Sequence, residues 1–193
     1  MKICIYGASA SNLDAAFFEA AEELGRLIGE KGHSLVFGGG NNGLMGACAR
    51  GASVSGAEII GIAPRFFDEP GVLYQSCTRF LFTETMRERK ECMENLSDAF
   101  IILPGGIGTF EEFFETLTLK QLGRHAKPMV LLNTLRYYDS LVQTLETAVS
   151  GGFLSKDCLR LFSLCDTPEE ALQAILTAPT VSGSPKRIVD YNK

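Results

Sequence analysis

Along almost the whole chain, apolar runs of strand length alternate with runs of helical period. No other feature limits the possible folds as strongly. Residues 2–6, 34–37, 58–63, 79–83, 99–103, 128–132 and 161–165 read as strands. Between them, residues 14–31 carry Phe17, Ala20, Ala21, Leu24, Leu27 and Ile28 as one stripe, with Gly32 as the stop. Residues 43–55, 85–97, 109–122 and 137–150 read as further helices, the last stopped by Gly151-Gly152. Thr167-Pro168-Glu169-Glu170 opens a final helix with Thr at the N-cap, Pro at N1 and Glu at N3. Residues 64–78 show no period. This order predicts an α/β fold: a doubly wound parallel sheet with helices on both faces, whose strands read as near-continuous apolar runs. The 193-residue length fits a single domain. We place it at residues 1–178, with a frayed tail, rich in Ser, Pro, Gly and Lys, at 179–193.

In such folds ligands sit outside the carboxyl ends of the strands. Three glycine-bearing turns fall there: Gly7-Ala8-Ser9, Gly38-Gly39-Gly40 and Gly105-Gly106-Ile107-Gly108. One such turn is ordinarily a backbone necessity. Three at one edge point to a shared anion site, because a glycine turn opening a helix aims backbone N–H groups and the positive end of the helix dipole at whatever lies above it. The spacing is not the G-x-G-x-x-G of dinucleotide binders, and no G-x-x-x-x-G-K-[ST] loop is present, which argues against NAD and against ATP hydrolysis.

Two charges stand out near these turns. Glu112 follows the third turn. Thr109-Phe110-Glu111-Glu112 fits a capping box, yet a carboxylate beside a bound phosphate is repelled by it, so a role toward the sugar or a water suits the position better. Arg89 lies three residues from Met86 and Cys92 and four from Met93, on the apolar stripe of its helix. Arg87 and Lys90 have Glu91 and Glu94 four residues on, the spacing of surface pairs, whereas Arg89 has no such partner. A guanidinium facing inward must meet an anion. That anion is a core acid, a ligand phosphate or Glu112. Met45, Met86 and Met93 read as core filler, and Phe110, Phe113 and Phe114 as an apolar helix face for the core or a second subunit.

The net charge of −5 and the lack of a basic cluster longer than Arg87-Glu88-Arg89-Lys90 speak against a nucleic-acid partner. No apolar run approaches membrane-spanning length, and residues 1–5 are too strand-like for a signal peptide. Six dispersed cysteines and two histidines make no metal-ligand pattern and read as reduced thiols in a cytoplasmic protein.

Three motifs carry a resemblance. Pro104-Gly105-Gly106-Ile107-Gly108-Thr109-Phe110-Glu111-Glu112 matches PGG-x-GT-x-x-E. Met86-Arg87-Glu88-Arg89-Lys90 is close to M-H-x-R-K. Gly38-Gly39-Gly40-Asn41-Asn42-Gly43-Leu44-Met45-Gly46 is close to GGG-x-x-GLMG. Together they resemble the LONELY GUY (LOG) family, cytokinin riboside 5′-monophosphate phosphoribohydrolases, over residues 3–175. The resemblance implies a Rossmann-like fold, a homodimer and no metal or other cofactor. It implies hydrolysis of the N-glycosidic bond of AMP or N6-substituted AMP. Carried over by motif, Arg89 and Glu112 form the catalytic pair. Gly105, Gly106, Ile107, Gly108, Thr109 and Glu111 hold the nucleotide, with Lys90 and Thr118 nearby and Ser9, Gly39 and Gly40 from the same edge. The chain departs from the family pattern at Arg87 for His, Ile107 for Tyr and Leu119 for Trp, and Glu69 is the candidate acidic contact in the loop 66–75. These departures fall near the expected base.

Two other readings compete. A non-enzymatic nucleotide or molybdenum-cofactor carrier would share the cradle, and the Arg89/Glu112 pair favours an enzyme over it. Pyridoxal-phosphate decarboxylation needs an inward lysine for a Schiff base, and the lysines read as lying at helix ends or on exposed faces.

Overall fold

The computed structural model describes residues 1–184. The part of the expected tail at 185–193 lies outside the described residues. Among the described residues, seven strands form one parallel sheet: β1 Lys2–Tyr6, β2 Ser34–Phe37, β3 Ile59–Pro64, β4 Arg79–Thr83, β5 Ala99–Ile102, β6 Met129–Leu132 and β7 Ser163–Cys165. Six α-helices alternate with them: α1 Ala15–Glu30, α2 Gly43–Val54, α3 Met86–Leu96, α4 Ile107–Gln121, α5 Asp139–Ser150 and α6 Pro168–Thr177. The sheet order is β4-β3-β2-β1-β5-β6-β7, with every neighbouring pair parallel. The winding reverses between β1 and β5, so the crevice at their carboxyl ends is the topological switch point of a Rossmann-like sheet.

Strand side chains alternate between two cores. Ile3, Ile5, Leu35, Phe37, Ile59, Ile101 and Val130 face α1, α2 and α6. Cys4, Tyr6, Val36, Ile60, Ile62, Phe100 and Leu131 face the opposite layer, where Met93 of α3 and Phe113 and Leu117 of α4 pack. The inner strands are buried on both sides, as continuous apolar runs require. The edge strands β4 and β7 are partly exposed, and the expectation of double cover fails there.

Capping explains several boundaries. Asp14 caps α1, Thr85 caps α3, and Thr167 with Glu170 makes the expected capping box on α6. Gly32 ends α1 with φ +71°, which an L side chain rarely adopts. Residues 179–184 form no helix or strand, although the Gly183 N–H donates to the Lys120 carbonyl at 2.9 Å. Among the described residues no helix is long and apolar enough to cross a membrane.

Candidate functional site

The turns after β1, β2 and β5 meet over the switch point around a cleft of about 660 Å³, a common size for small-molecule sites. Gly7, Ala8 and Ser9 supply one wall; Gly38, Gly40, Asn42 and Met45 another; and the start of α4, from Gly106 to Thr109, a third. Arg89 and Glu112 lie at the bottom.

Helix α4 begins earlier than its sequence indicates. Gly106 is the N-cap and makes no side-chain cap bond. Thr109 is therefore in the first turn, not at the N-cap, and the capping-box reading of Thr109 and Glu112 is corrected. The Thr109 hydroxyl instead lies over Gly105, where a Cβ would come within 2.1 Å of it. With no side chain covering the end of the helix, its first-turn N–H groups remain for a ligand anion. Glu112 sits about 9 Å along the axis from the N-cap. Helical side chains lean toward the N-terminus, so its carboxylate reaches back toward the proposed anion position.

Arg89 and Glu112 are both more than nine-tenths buried, and the Arg89 guanidinium donates to Glu112 Oε1 at 2.8 Å. Arg89 Nε donates to the Ile62 carbonyl at 3.2 Å, which ties the guanidinium to the end of β3. Gly38 makes room for it: a Cβ there would lie 2.0 Å from an Arg89 terminal nitrogen. Burial pushes the Glu112 carboxyl above the ordinary value of 4.5, and the Arg89 charge and hydrogen bond pull against that rise. The site thus holds a carboxyl group more basic than an exposed one, with a guanidinium at hand to favour its ionised form.

The other residues expected at the site divide. Ser9, Gly40, Gly106, Ile107, Gly108 and Thr109 line the cleft. Gly105 lies beneath its turn and Gly39, at φ +75°, backs onto the Phe80 ring, so neither is among the lining residues. Lys90 is not on the cleft wall. It bridges α3 to α4 by ion pairs to Glu111 and Glu115, in place of the expected surface pair with Glu94. Thr118 is exposed three turns along α4, outside the cleft. Glu69 is exposed and does not line the cleft either.

Several lining residues escaped the sequence reading. Phe67, Val72 and Leu73 come from the aperiodic loop after β3, drawn over the cleft by a bridge between Gly40 and Leu73 and by the Asn41 N–H bonding the Val72 carbonyl at 2.9 Å. The only signal was the position of that loop at a carboxyl-end edge. Met45 and Met86, read as core filler, line the cleft, whereas Met93 is fully buried. With Phe67 they add apolar surface to the cleft.

An inward lysine does exist, contrary to expectation. Lys120 on α4 is 3% exposed, and burial pushes its ammonium down to about 8. It lies about 12 Å along the helix from Glu112 and is absent from the cleft lining, so it does not fit a Schiff-base role at this site.

The fold and site define a Rossmann-like α/β protein with a small-molecule cleft at the sheet's switch point. A family model described as "possible lysine decarboxylase" matches residues 45–175. The cytokinin riboside 5′-monophosphate phosphoribohydrolase LOG of Oryza sativa subsp. japonica is 39% identical over 169 residues, covering 88% of this chain and 70% of that protein. The cytokinin riboside 5′-monophosphate phosphoribohydrolase of Rhodococcoides fascians is 41% identical over 158 residues, covering 81% and 80%. The chain belongs to the LONELY GUY family. Among solved structures, the molybdenum cofactor carrier protein of Chlamydomonas reinhardtii superposes with a TM-score of 0.69 over 91% of this chain and 95% of that one, at 22% identity. That likeness establishes the shared fold alone.

Proposed function

We propose that this protein hydrolyses the N-glycosidic bond of adenosine 5′-monophosphates, N6-substituted ones included, to give the free base and ribose 5-phosphate. The observation that carries this is the buried Arg89–Glu112 pair at the floor of a cleft whose rim is an uncapped helix N-terminus. The phosphate binds at the first turn of α4, over the N–H groups of Gly106 to Thr109. The ribose then extends toward Glu112. As the bond to the base lengthens, positive charge grows on the anomeric carbon and ring oxygen, and the Glu112 carboxylate stabilises it. The same carboxylate orients a water and takes its proton. The water oxygen bonds to the anomeric carbon, the bonding pair leaves with the base nitrogen, and the proton ends on the base. Arg89 favours the ionised form of Glu112 and holds it in place. Binding energy from the remote phosphate fixes the reacting carbon over the carboxylate.

The apolar surface that Met45, Phe67 and Met86 add to the cleft supports an apolar N6 substituent on the base. A carrier protein would use the same cradle but has no need of a buried carboxylate tuned by an arginine. The same reading makes the protein a cytoplasmic homodimer, with exposed Phe114 on α4 available for contact. Light scattering that returned a monomer mass would remove the dimer from it. Liquid chromatography of the protein incubated with AMP and N6-isopentenyl-AMP should show free base appearing with equimolar ribose 5-phosphate. Intact nucleotide after long incubation at high protein concentration would refute the hydrolase.

A further inference from the structure

The turn after β5 is tied down from outside at each carbonyl. The Leu103 carbonyl accepts from the Tyr138 hydroxyl at 2.6 Å. The Pro104 carbonyl accepts from the Ala8 N–H at 3.0 Å, and the Gly105 carbonyl from the Tyr137 hydroxyl at 2.5 Å. A peptide unit is planar, so fixing a carbonyl fixes the N–H on its opposite side. The Leu103–Pro104 unit has no N–H. The Gly105–Gly106 unit carries the N–H of Gly106, a residue that lines the cleft at the N-cap of α4. The Tyr137 hydroxyl therefore sets the direction of the N–H of a cleft-lining residue, and the Tyr138 hydroxyl does not.

The segment that presents Tyr137 is itself held in an unusual shape. Leu135 and Arg136 are non-glycine residues at φ +52° and +60°. Such backbone persists where its surroundings enforce it, and it clusters at ligand clamps. Here Asn133 enforces it. Its side chain accepts from the Tyr138 N–H at 2.7 Å and donates to Asp139 at 2.9 Å and to Asp166 at 3.1 Å. The Tyr137 ring stands edge-on to Phe17 and to Tyr138.

We propose that Tyr137 is a positioning residue for the anion site, aiming the Gly106 N–H at the phosphate of a sugar phosphate. The proposal rests on the nucleotide reading for the identity of the ligand. Titration calorimetry of the wild type, Tyr137→Phe and Tyr138→Phe with ribose 5-phosphate, AMP and adenosine tests it, with AMP titrated into the Glu112→Gln form of each so that it is not consumed. Phe keeps the ring packing and removes only the hydroxyl. The expected result is that Tyr137→Phe weakens ribose 5-phosphate and AMP by about tenfold. Adenosine, which has no phosphate, should bind as before, and Tyr138→Phe should change phosphate affinity less than Tyr137→Phe. Unchanged ribose 5-phosphate affinity in Tyr137→Phe would overturn the proposal, and so would equal weakening of adenosine. A wild type that binds ribose 5-phosphate but not AMP would refute the nucleotide reading alone, leaving the effect of Tyr137→Phe on ribose 5-phosphate to decide the proposal. A wild type that binds neither would overturn both.

Discussion

Arg89 and Glu112 are each costly to bury alone, and each is made tolerable by the other. Burial nevertheless outweighs the arginine, so the carboxyl stays above 4.5. Activity that requires the ionised form should rise along an acid limb with its midpoint above 4.5. Arg89→Lys, which loses the guanidinium bonds to Glu112 and to the Ile62 carbonyl, should move that midpoint further up in a kcat/KM profile; a midpoint moving down would contradict the assignment. The stability sign follows from the same shift. A raised folded value means that the neutral acid is favoured in the fold, so the contribution of Glu112 is full below the ordinary carboxylate value. It is lost as pH rises through the folded value. The destabilisation of Glu112→Gln, followed by urea unfolding, should therefore shrink as pH rises. Glu112→Gln should also lower kcat by about 10²- to 10⁴-fold. Gly38→Ala would put a methyl into the Arg89 guanidinium. Displacing the catalytic pair by an ångström should cost about a hundredfold in kcat, with the circular dichroism spectrum unchanged. Of these residues, Arg89 was legible in the sequence because a charge on an apolar stripe is conspicuous. Gly38 was legible only as part of a glycine turn, since the side chain it makes room for lies 51 positions away in the chain.

At the scale of elements, side-chain capping is missing at α2 and α4, which begin at the cleft just after glycine turns, and also at α5, which begins away from it. The N-caps of α2 and α4, Asn42 and Gly106, make no side-chain cap bond, whereas α1, α3 and α6 are capped by Asp14, Thr85 and Thr167. The start of α4 was misread for this reason: Thr109 and Glu112 have the spacing of a capping box, and a helix that reserves its first turn for a ligand shows no cap of its own. Helix α2 is held by close backbone approach. A Cβ on Gly25 of α1 would lie 1.9 Å from the Cys48 carbonyl oxygen, and one on Gly51 of α2 would lie 1.9 Å from that of Glu22. Gly51→Ala must therefore push the helices apart. It should destabilise the fold by about 1–3 kcal/mol in denaturant titration. A neutral effect would mean that the helices do not pack at this distance. The loop after β3 was the least legible element, because its lining residues Phe67, Val72 and Leu73 follow no period and are positioned by long-range contacts with the second glycine turn.

For the whole molecule, alternation of strands and helices in the sequence was enough to indicate a parallel doubly wound sheet and to place all three glycine turns at one edge. It left the order of the strands open, because alternation does not say where the winding reverses. The structure puts that reversal between β1 and β5, directly under the Gly7–Ser9 and Gly105–Gly108 turns. Arg89 arrives from one half of the sheet and Glu112 from the other, so the reactive pair assembles only when both halves are folded together. On the proposed function, this assembled pair cuts the sugar–base bond of a nucleoside monophosphate. Chromatographic measurement of free base released from N6-isopentenyl-AMP by wild type and by folded Glu112→Gln tests it most directly. Stoichiometric release by the wild type is expected, with loss of at least about a hundredfold in the variant. Release that persists undiminished in Glu112→Gln, or no release by the wild type from any nucleoside monophosphate, would contradict it.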